Sequence, residues 1–352
     1  MSSPIGMTSV PRSDAEPSMK RYAVVGAGAI GAYVGASMAR GGADVTLIAR
    51  GAHLAAMRER GVSVRSERGD FHVRMPVSDI AHAEGPFDCI ILGLKAQQLA
   101  PMLPEILALC HEGTRIVAMQ NGLPWWYFQQ HGGEHEGRTL TSVDPDGCLA
   151  AAFDPQRVVG CVIYCSTEIE APGCIRHIEG TRYALGRPDG TVDEPLREIS
   201  AAMIAGGLKA PIETDLRAQI WVKLLGNAAL NPISALTRTT LATMLNDPSA
   251  ATLVRTIMEE CAAVAAALGV TMPVSIDQRM DGARRVGEHK TSMLQDVEAG
   301  RSLELDCITG AVVELGTLLG IATPATTYVH AMTRLLGDAV SAPAPAARLT
   351  AA

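Results

Sequence analysis

Arg21-Tyr22-Ala23-Val24-Val25-Gly26-Ala27-Gly28-Ala29-Ile30-Gly31 is the stretch that decides how this chain folds. A short apolar strand runs straight into G-x-G-x-x-G, and a helix of small residues follows from Ala32 to Arg40. Gly41-Gly42 ends that helix, and Asp44-Val45-Thr46-Leu47-Ile48-Ala49-Arg50 reads as the next strand. The unit is a βαβ turn of about 30 residues, the context in which the glycine pattern carries meaning. One glycine serves a tight turn, one lets backbone N–H groups approach a pyrophosphate, and one lets helix and strand pack closely. The helix N-terminus adds partial positive charge toward the anion. Gly26, Gly28, Ala29, Ile30 and Gly31 are therefore candidate cofactor contacts.

The end of the second strand selects the cofactor. Chains that bind NAD carry an acid there for the ribose diol. This chain has Arg50, with no carboxylate until Glu59. A guanidinium suits a 2′-phosphate, in a charge-assisted pair worth about 1.5–3 kcal/mol. The residues thus favour NADP (NADPH) over NAD.

Working outward, Gly61 to Val77 alternates like short antiparallel strands at a sheet edge, and Phe87 to Leu94 is a buried strand with Lys95 and Gln98 just beyond it. A helix around Met102 to Cys110 leads to a strand from Thr114 to Met119, which ends in Gln120-Asn121-Gly122. Ligands of open parallel sheets sit beyond the carboxyl ends of the strands, so Lys95, Gln98 and Asn121 belong to one candidate rim. Leu123-Pro124-Trp125-Trp126-Tyr127-Phe128 is densely aromatic and reads either as a flap beside the cleft or as a subunit or domain contact. The loop after it holds His131 and His135 without convincing carboxylate or cysteine partners for a metal. Strands over Val158–Thr167 and Cys174–Leu185 and a helix from Pro195 to Gly206 complete this part, and the boundary falls near Asp215.

Beyond the boundary the pattern is helical. Gln219 to Pro232 carries Lys223, Asn227 and Asn231 at i, i+4 and i+8 among Ile, Trp, Val, Leu and Ala. At about 100° per residue the three share one side of a helix, and Pro232 predicts its end. A charge and two amides on so apolar a helix are costly unless matched, and they make sense facing a cleft that holds a polar ligand. Exposure at a helix edge is the plainer alternative. Further helices are expected over Pro248–Leu268, Pro273–Val286, Ser302–Leu319 and Pro324–Leu336, with an Ala/Pro-rich disordered tail at 339–352.

The 352 residues suffice for two domains, and a net charge of −7 argues against nucleic acid or an anionic membrane as the main partner. No apolar run approaches the roughly 20 residues of a membrane span. Residues 1–19 have no apolar signal segment and read as a flexible leader. Eight cysteines without a Cys-x-x-Cys read as reduced residues of a cytoplasmic protein.

G-x-G-x-x-G at 26–31, Lys95-Ala96-x-Gln98, Gln120-Asn121-Gly122, the Lys223/Asn227/Asn231-Pro232 helix, and Ser292-Met293-Leu294-Gln295-Asp296 with Glu304 occur in that order. Together they resemble the ketopantoate reductase (2-dehydropantoate 2-reductase) family over roughly residues 20 to 338. The resemblance implies an α/β Rossmann-type NADP-binding domain at 20–214 and an all-α substrate and catalytic domain at 215–338, with the active site in the cleft between them. It implies NADPH-dependent reduction of a 2-oxo acid in the pantothenate route. Lys223 would be the general acid, and a lysine in an apolar helix can have the lowered pKa that the task needs. Asn227, Asn231 and Ser292 match substrate-binding positions. Asn121 matches a position between substrate and cofactor, and Glu304 an acid that contacts the cofactor ribose and organises the site. Arg50, Lys95 and Gln98 match cofactor contacts.

The Trp125–Phe128 run is longer and more aromatic than in the short biosynthetic members, which leaves room for a bulkier 2-oxo or hydroxy acid. A non-catalytic NADP(H) sensor is the alternative from another class, and a positioned proton donor argues against it. The helices of the second domain could support a homodimer.

Overall fold

Nine strands line up in the order β4-β3-β9-β8-β7-β6-β1-β2-β5 in a computed structural model that describes residues 20–341. The leader 1–19 and residues 342–352 of the tail lie outside the described residues. Arg21–Val25 is β1, Ala29–Arg40 α1 and Asp44–Ile48 β2. Gly51–Arg60 forms α2, a helix absent from the sequence reading, and Val62–Ser66, Phe71–Val73 and Val77–Ser78 are β3, β4 and β5. Phe87–Leu92 is β6, and the short helices Ala96–Leu99 (α3) and Leu103–Ala108 (α4) lead to Cys110–Ala118 (β7). Cys148–Ala152 is α5, and Val158–Ala171 (β8) and Cys174–Gly186 (β9) form a long antiparallel hairpin. Glu194–Ala205 is α6.

Apart from the β3/β4 and β8/β9 pairs, neighbouring strands run parallel. Side chains alternate between two buried faces, as a strand period of two requires. Ala23, Val25, Ile90, Leu92, Ile116 and Ala118 face the helical region, while Tyr22, Val24, Cys89, Ile91 and Val117 face α1 and α6. The edge strands β4 and β5 are joined by residues 74–76 alone, so at most about 15 Å of chain separates them. The sheet therefore curls round until its two edges are neighbours, with α1 packed against β1, β2, β3, β8 and β9 inside the curl. The register Val25↔Leu92 and Leu92↔Ala118 brings the carboxyl ends of β1, β6 and β7 to one level. The glycine loop, Lys95 and Asn121 leave the sheet at that shared rim.

The helical region comprises Leu216–Thr237 (α7), Leu241–Asn246 (α8), Pro248–Ala267 (α9), Ile276–Val286 (α10), Ser292–Glu298 (α11), Ala311–Leu319 (α12) and Pro324–Ser341 (α13). Pro232 does not end its helix, contrary to the expectation from sequence: α7 continues to Thr237. Losing one backbone bond and crowding the preceding turn costs about 3 kcal/mol. Asn231, Pro232, Ile233, Ser234 and Ala235 are all buried, and packing at about 25 cal/mol per Å² offsets that cost. The stop comes instead at Arg238, whose φ of 58° is left-handed. The helix expected from Ser302 begins only at Asp306, with a π-helical turn over Asp306–Gly310 that feeds α12. The last helix runs on past Leu336 to Ser341, so the expected tail loses its first three residues to α13. Among the described residues no helix is long and apolar enough to cross a membrane.

Candidate active site

The glycine loop packs closely at Gly26 and Gly31 and is open at Gly28. Gly26 turns with φ +93° directly beneath Leu94, where a Cβ would meet the Leu94 backbone N at 2.8 Å. Gly31 sits against the Gly26 carbonyl and Val24, so α1 can lie on β1 only without a side chain there. Gly28 caps α1 with no side-chain hydrogen bond, and a Cβ on it would stand in open space. That leaves the N-terminal N–H groups of α1 without a side-chain cap, an arrangement that could hold a pyrophosphate. Arg50 follows β2 as the exposed N-cap of α2.

Three predicted residues meet in one chain of hydrogen bonds. Lys223 Nζ donates to Asn121 Oδ1 at 2.7 Å, and Asn121 Nδ2 donates to Glu304 Oε2 at 3.1 Å. The backbone N–H of Ala96 donates to the other carboxylate oxygen, Glu304 Oε1, at 3.2 Å. A carboxylate only accepts, so Glu304 orients the Asn121 amide and leaves its carbonyl oxygen for the lysine. Burial, the largest influence, pulls the Lys223 ammonium down to about 8, while the nearby Cys161 and Glu304 raise it and Arg279 lowers it further. Burial pushes the Glu304 carboxyl up, against the Asn121 hydrogen bond and the Lys95 charge.

Asn227 and Asn231 follow Lys223 along α7, Asn231 buried and Asn227 half-buried. Lys95 and Gln98 hold the opposite lip. Gln98 Oε1 accepts from the Lys95 backbone N–H at 3.0 Å and caps α3. Lys95 Nζ pairs with Asp296 at 2.6 Å and donates to the Ser302 carbonyl at 2.7 Å, tying the sheet rim to the helical region. Ser292 is the exposed first residue of α11, a helix packed on α7.

The structure adds Gln120 and Cys161, to which the sequence reading gave no role, and sets Trp126 beside them. A small cavity beside Lys223 is lined by Gln120, Cys161 and Trp126, among others. Gln120 Oε1 and Trp126 Nε1 are buried there without hydrogen-bond partners, and burial pushes the Cys161 thiol up to about 12. Nothing in a strand pattern marks a cysteine as cleft-facing. All eight cysteines are unpaired thiols, Cys161 and Cys165 included.

The aromatic run resolves in favour of a domain contact. Trp125, Trp126, Tyr127 and Phe128 are at most 3% exposed and belong to the core shared with α7. Trp221 Nε1 donates to the Tyr127 hydroxyl at 2.7 Å, and Arg217 donates to the carbonyls of Tyr127 and Gln129, each at 2.9 Å. His131 and His135 pack on Phe128.

Comparison with known proteins agrees with this architecture. Residues 22–190 match the family described as ketopantoate reductase PanE/ApbA, and residues 215–337 its C-terminal counterpart. A 2-dehydropantoate 2-reductase of Mesorhizobium japonicum is 46% identical over 319 residues, covering 90% of this chain and 97% of that one. The crystal structure of 2-dehydropantoate 2-reductase from Geobacter metallireducens GS-15 is 29% identical, with a TM-score of 0.79 over 90% of this chain and 99% of that one. D-mandelate dehydrogenase, solved with NADH and anilino(oxo)acetate, shares the fold at 22% identity, with a TM-score of 0.79 over 92% of this chain and 100% of that one.

Proposed function

The chain belongs to the ketopantoate reductase family and is an oxidoreductase of the 2-dehydropantoate 2-reductase type, and from that premise we propose that it reduces 2-dehydropantoate to pantoate with NADPH, a step of pantothenate biosynthesis. The observation that carries the reading is the Lys223–Asn121–Glu304 chain: a half-buried ammonium held by a neutral amide at the sheet rim. The uncovered N-terminus of α1 at Gly28 fits a pyrophosphate, and the exposed Arg50 after β2 fits a 2′-phosphate. When bound, the cofactor supplies a hydride to the carbonyl carbon of the 2-oxo acid.

The protein's own residues do the rest. Lys223 Nζ donates the proton that the carbonyl oxygen takes up, and as a cation it stabilises the alkoxide as charge develops. A pKa near 8 makes it a stronger acid than an exposed lysine while leaving it mostly protonated at neutral pH. Asn121 aims the ammonium without neutralising it, which a direct carboxylate partner would do. Asn227, Asn231 and Ser292 supply neutral hydrogen bonds to the substrate's polar groups. The burial of Trp125–Phe128 supports the smaller acid, since none of the four rings hangs free as a flap.

Steady-state oxidation of NADPH and of NADH with 2-dehydropantoate, beside a panel of other 2-oxo acids including phenyl-substituted ones, tests the proposal. High kcat/KM with NADPH and 2-dehydropantoate is expected. Stronger turnover of a bulkier acid would keep the mechanism and change the substrate.

A further inference from the structure

Arg279, on α10, lays its side chain across Gly226 of α7, three residues beyond Lys223. A Cβ on Gly226 would meet the guanidinium carbon at 2.6 Å and Nε at 2.7 Å, so only glycine allows this seat. Among the described residues the seat brings no carboxylate partner. Arg279 Nε is buried without a hydrogen-bond partner. Among the described residues, the ionisable group of opposite sign that bears on it is the phenol of Tyr164. The Tyr164 ring in turn lies 6.0 Å from Lys223 Nζ. One wall of the cleft therefore holds two cations, Lys223 and Arg279, while Asn121, Asn227 and Asn231 beside them are neutral. Like charges this near disfavour each other, and the Arg279 charge is one of the influences that lower the Lys223 pKa. An uncompensated guanidinium in such a place is costly, and a ligand anion relieves it.

We propose that Arg279 is the carboxylate-recognition residue of this site, pairing with the carboxylate of the 2-oxo acid while Lys223 serves its carbonyl oxygen. The inference rests on the proposed reduction of a 2-oxo acid and adds the charged partner that neutral amides lack. A guanidinium suits the task because its planar fork can take both carboxylate oxygens at once. Arg279 contributes binding and orientation, and the proton donor remains Lys223.

The test compares wild type, Arg279→Gln, Arg279→Lys and Gly226→Ala. Each is assayed with NADPH and 2-dehydropantoate, with the primary amide of that acid, and by calorimetric titration of pantoate into the enzyme–NADP⁺ complex. For Arg279→Gln we expect KM for the acid and Kd for pantoate to rise about 10- to 150-fold, with NADPH affinity unchanged. Arg279→Lys should recover part of the loss, and the amide, already poor with wild type, should be little affected. Gly226→Ala keeps the charge but displaces the guanidinium, so it should reproduce the loss even if Arg279→Gln fails to fold. Equal changes for acid and amide, or an unchanged KM for the acid in both variants, would overturn the assignment while leaving the proposed reaction intact. A wild type that turns over no 2-oxo acid and binds no pantoate would instead overturn the reaction on which it rests.

Discussion

Lys223 and Glu304 hold opposite ends of one amide: the ammonium binds Asn121 Oδ1 at 2.7 Å, and the carboxylate binds Asn121 Nδ2 at 3.1 Å. The two charges thus communicate across a neutral spacer and never form an ion pair. Each is shifted toward neutrality by burial, and each is partly restored by its neighbours. A direct pair would hold Lys223 protonated and blunt it as an acid. The spacer leaves its proton available.

Removing the donor should abolish chemistry and spare binding. Lys223→Ala is expected to lower kcat by about 10²–10⁴-fold, the range of general acid catalysis, with NADPH affinity by fluorescence titration unchanged. Near-normal turnover would take Lys223 out of the mechanism.

The pH profile follows from the same shift. The proposed reduction needs Lys223 protonated, so kcat/KM should be full below about pH 8 and fall as pH rises through it. Glu304 is one of the groups that raise the Lys223 pKa. Glu304→Gln keeps the shape and removes that charge, so the alkaline limb should move to lower pH. A limb that stays or moves upward would show that the two groups are not coupled.

Arg50→Ala should weaken NADPH by about 10- to 150-fold while leaving NADH nearly unchanged, the loss of one charge-assisted phosphate contact. Paired Kd measurements decide this, and equal losses for both cofactors would mean that Arg50 does not read the 2′-phosphate.

Gly122 follows Asn121 with φ +78°, and a Cβ there would meet the Cys307 carbonyl carbon at 2.5 Å and Sγ at 3.1 Å. Gly122→Ala therefore strains the backbone and pushes the sheet rim off the π-helical turn, with a cost of about 2 kcal/mol or more. The melting temperature should drop by several degrees, and kcat should fall because Asn121 moves with its neighbour. An unchanged melting temperature would contradict the close approach.

The features set by local spacing are legible in the sequence alone. The β1-α1-β2 turn has its glycines at fixed offsets, and the i, i+4, i+8 series from Lys223 to Asn231 falls on one helix face whatever surrounds it. Other features depend on contacts between distant segments. Pro232 sits inside a helix because residues 231–235 are buried, a fact that local preference cannot contain. Arg279 is one of several charges on a polar helix until α10 is laid across Gly226. Lys95 matched a cofactor position by motif, yet its partner Asp296 lies 201 residues away in the chain. The aromatic run was equally compatible with a flap and a contact, and the Trp221–Tyr127 bond across the domains distinguishes them.

That aromatic wedge also governs how the molecule can move. Swinging the helical region away from the sheet would draw Tyr127 and Trp221, whose rings meet across the two, into water. At 150–250 Å² per ring this costs on the order of 4–6 kcal/mol each. An apolar junction of that kind resists the hinge motion expected when domains meet through polar surfaces. The mouth of the cleft is built differently, from the Lys95–Asp296 pair and the Gln97 contacts to Ser302 and Leu303, polar links whose parting uncovers little apolar surface. The expectation is that the 299–304 segment opens against the Lys95 lip more readily than α7 leaves the sheet. Amide exchange should be fast at that segment and slow along α7, which carries Lys223, the proposed proton donor.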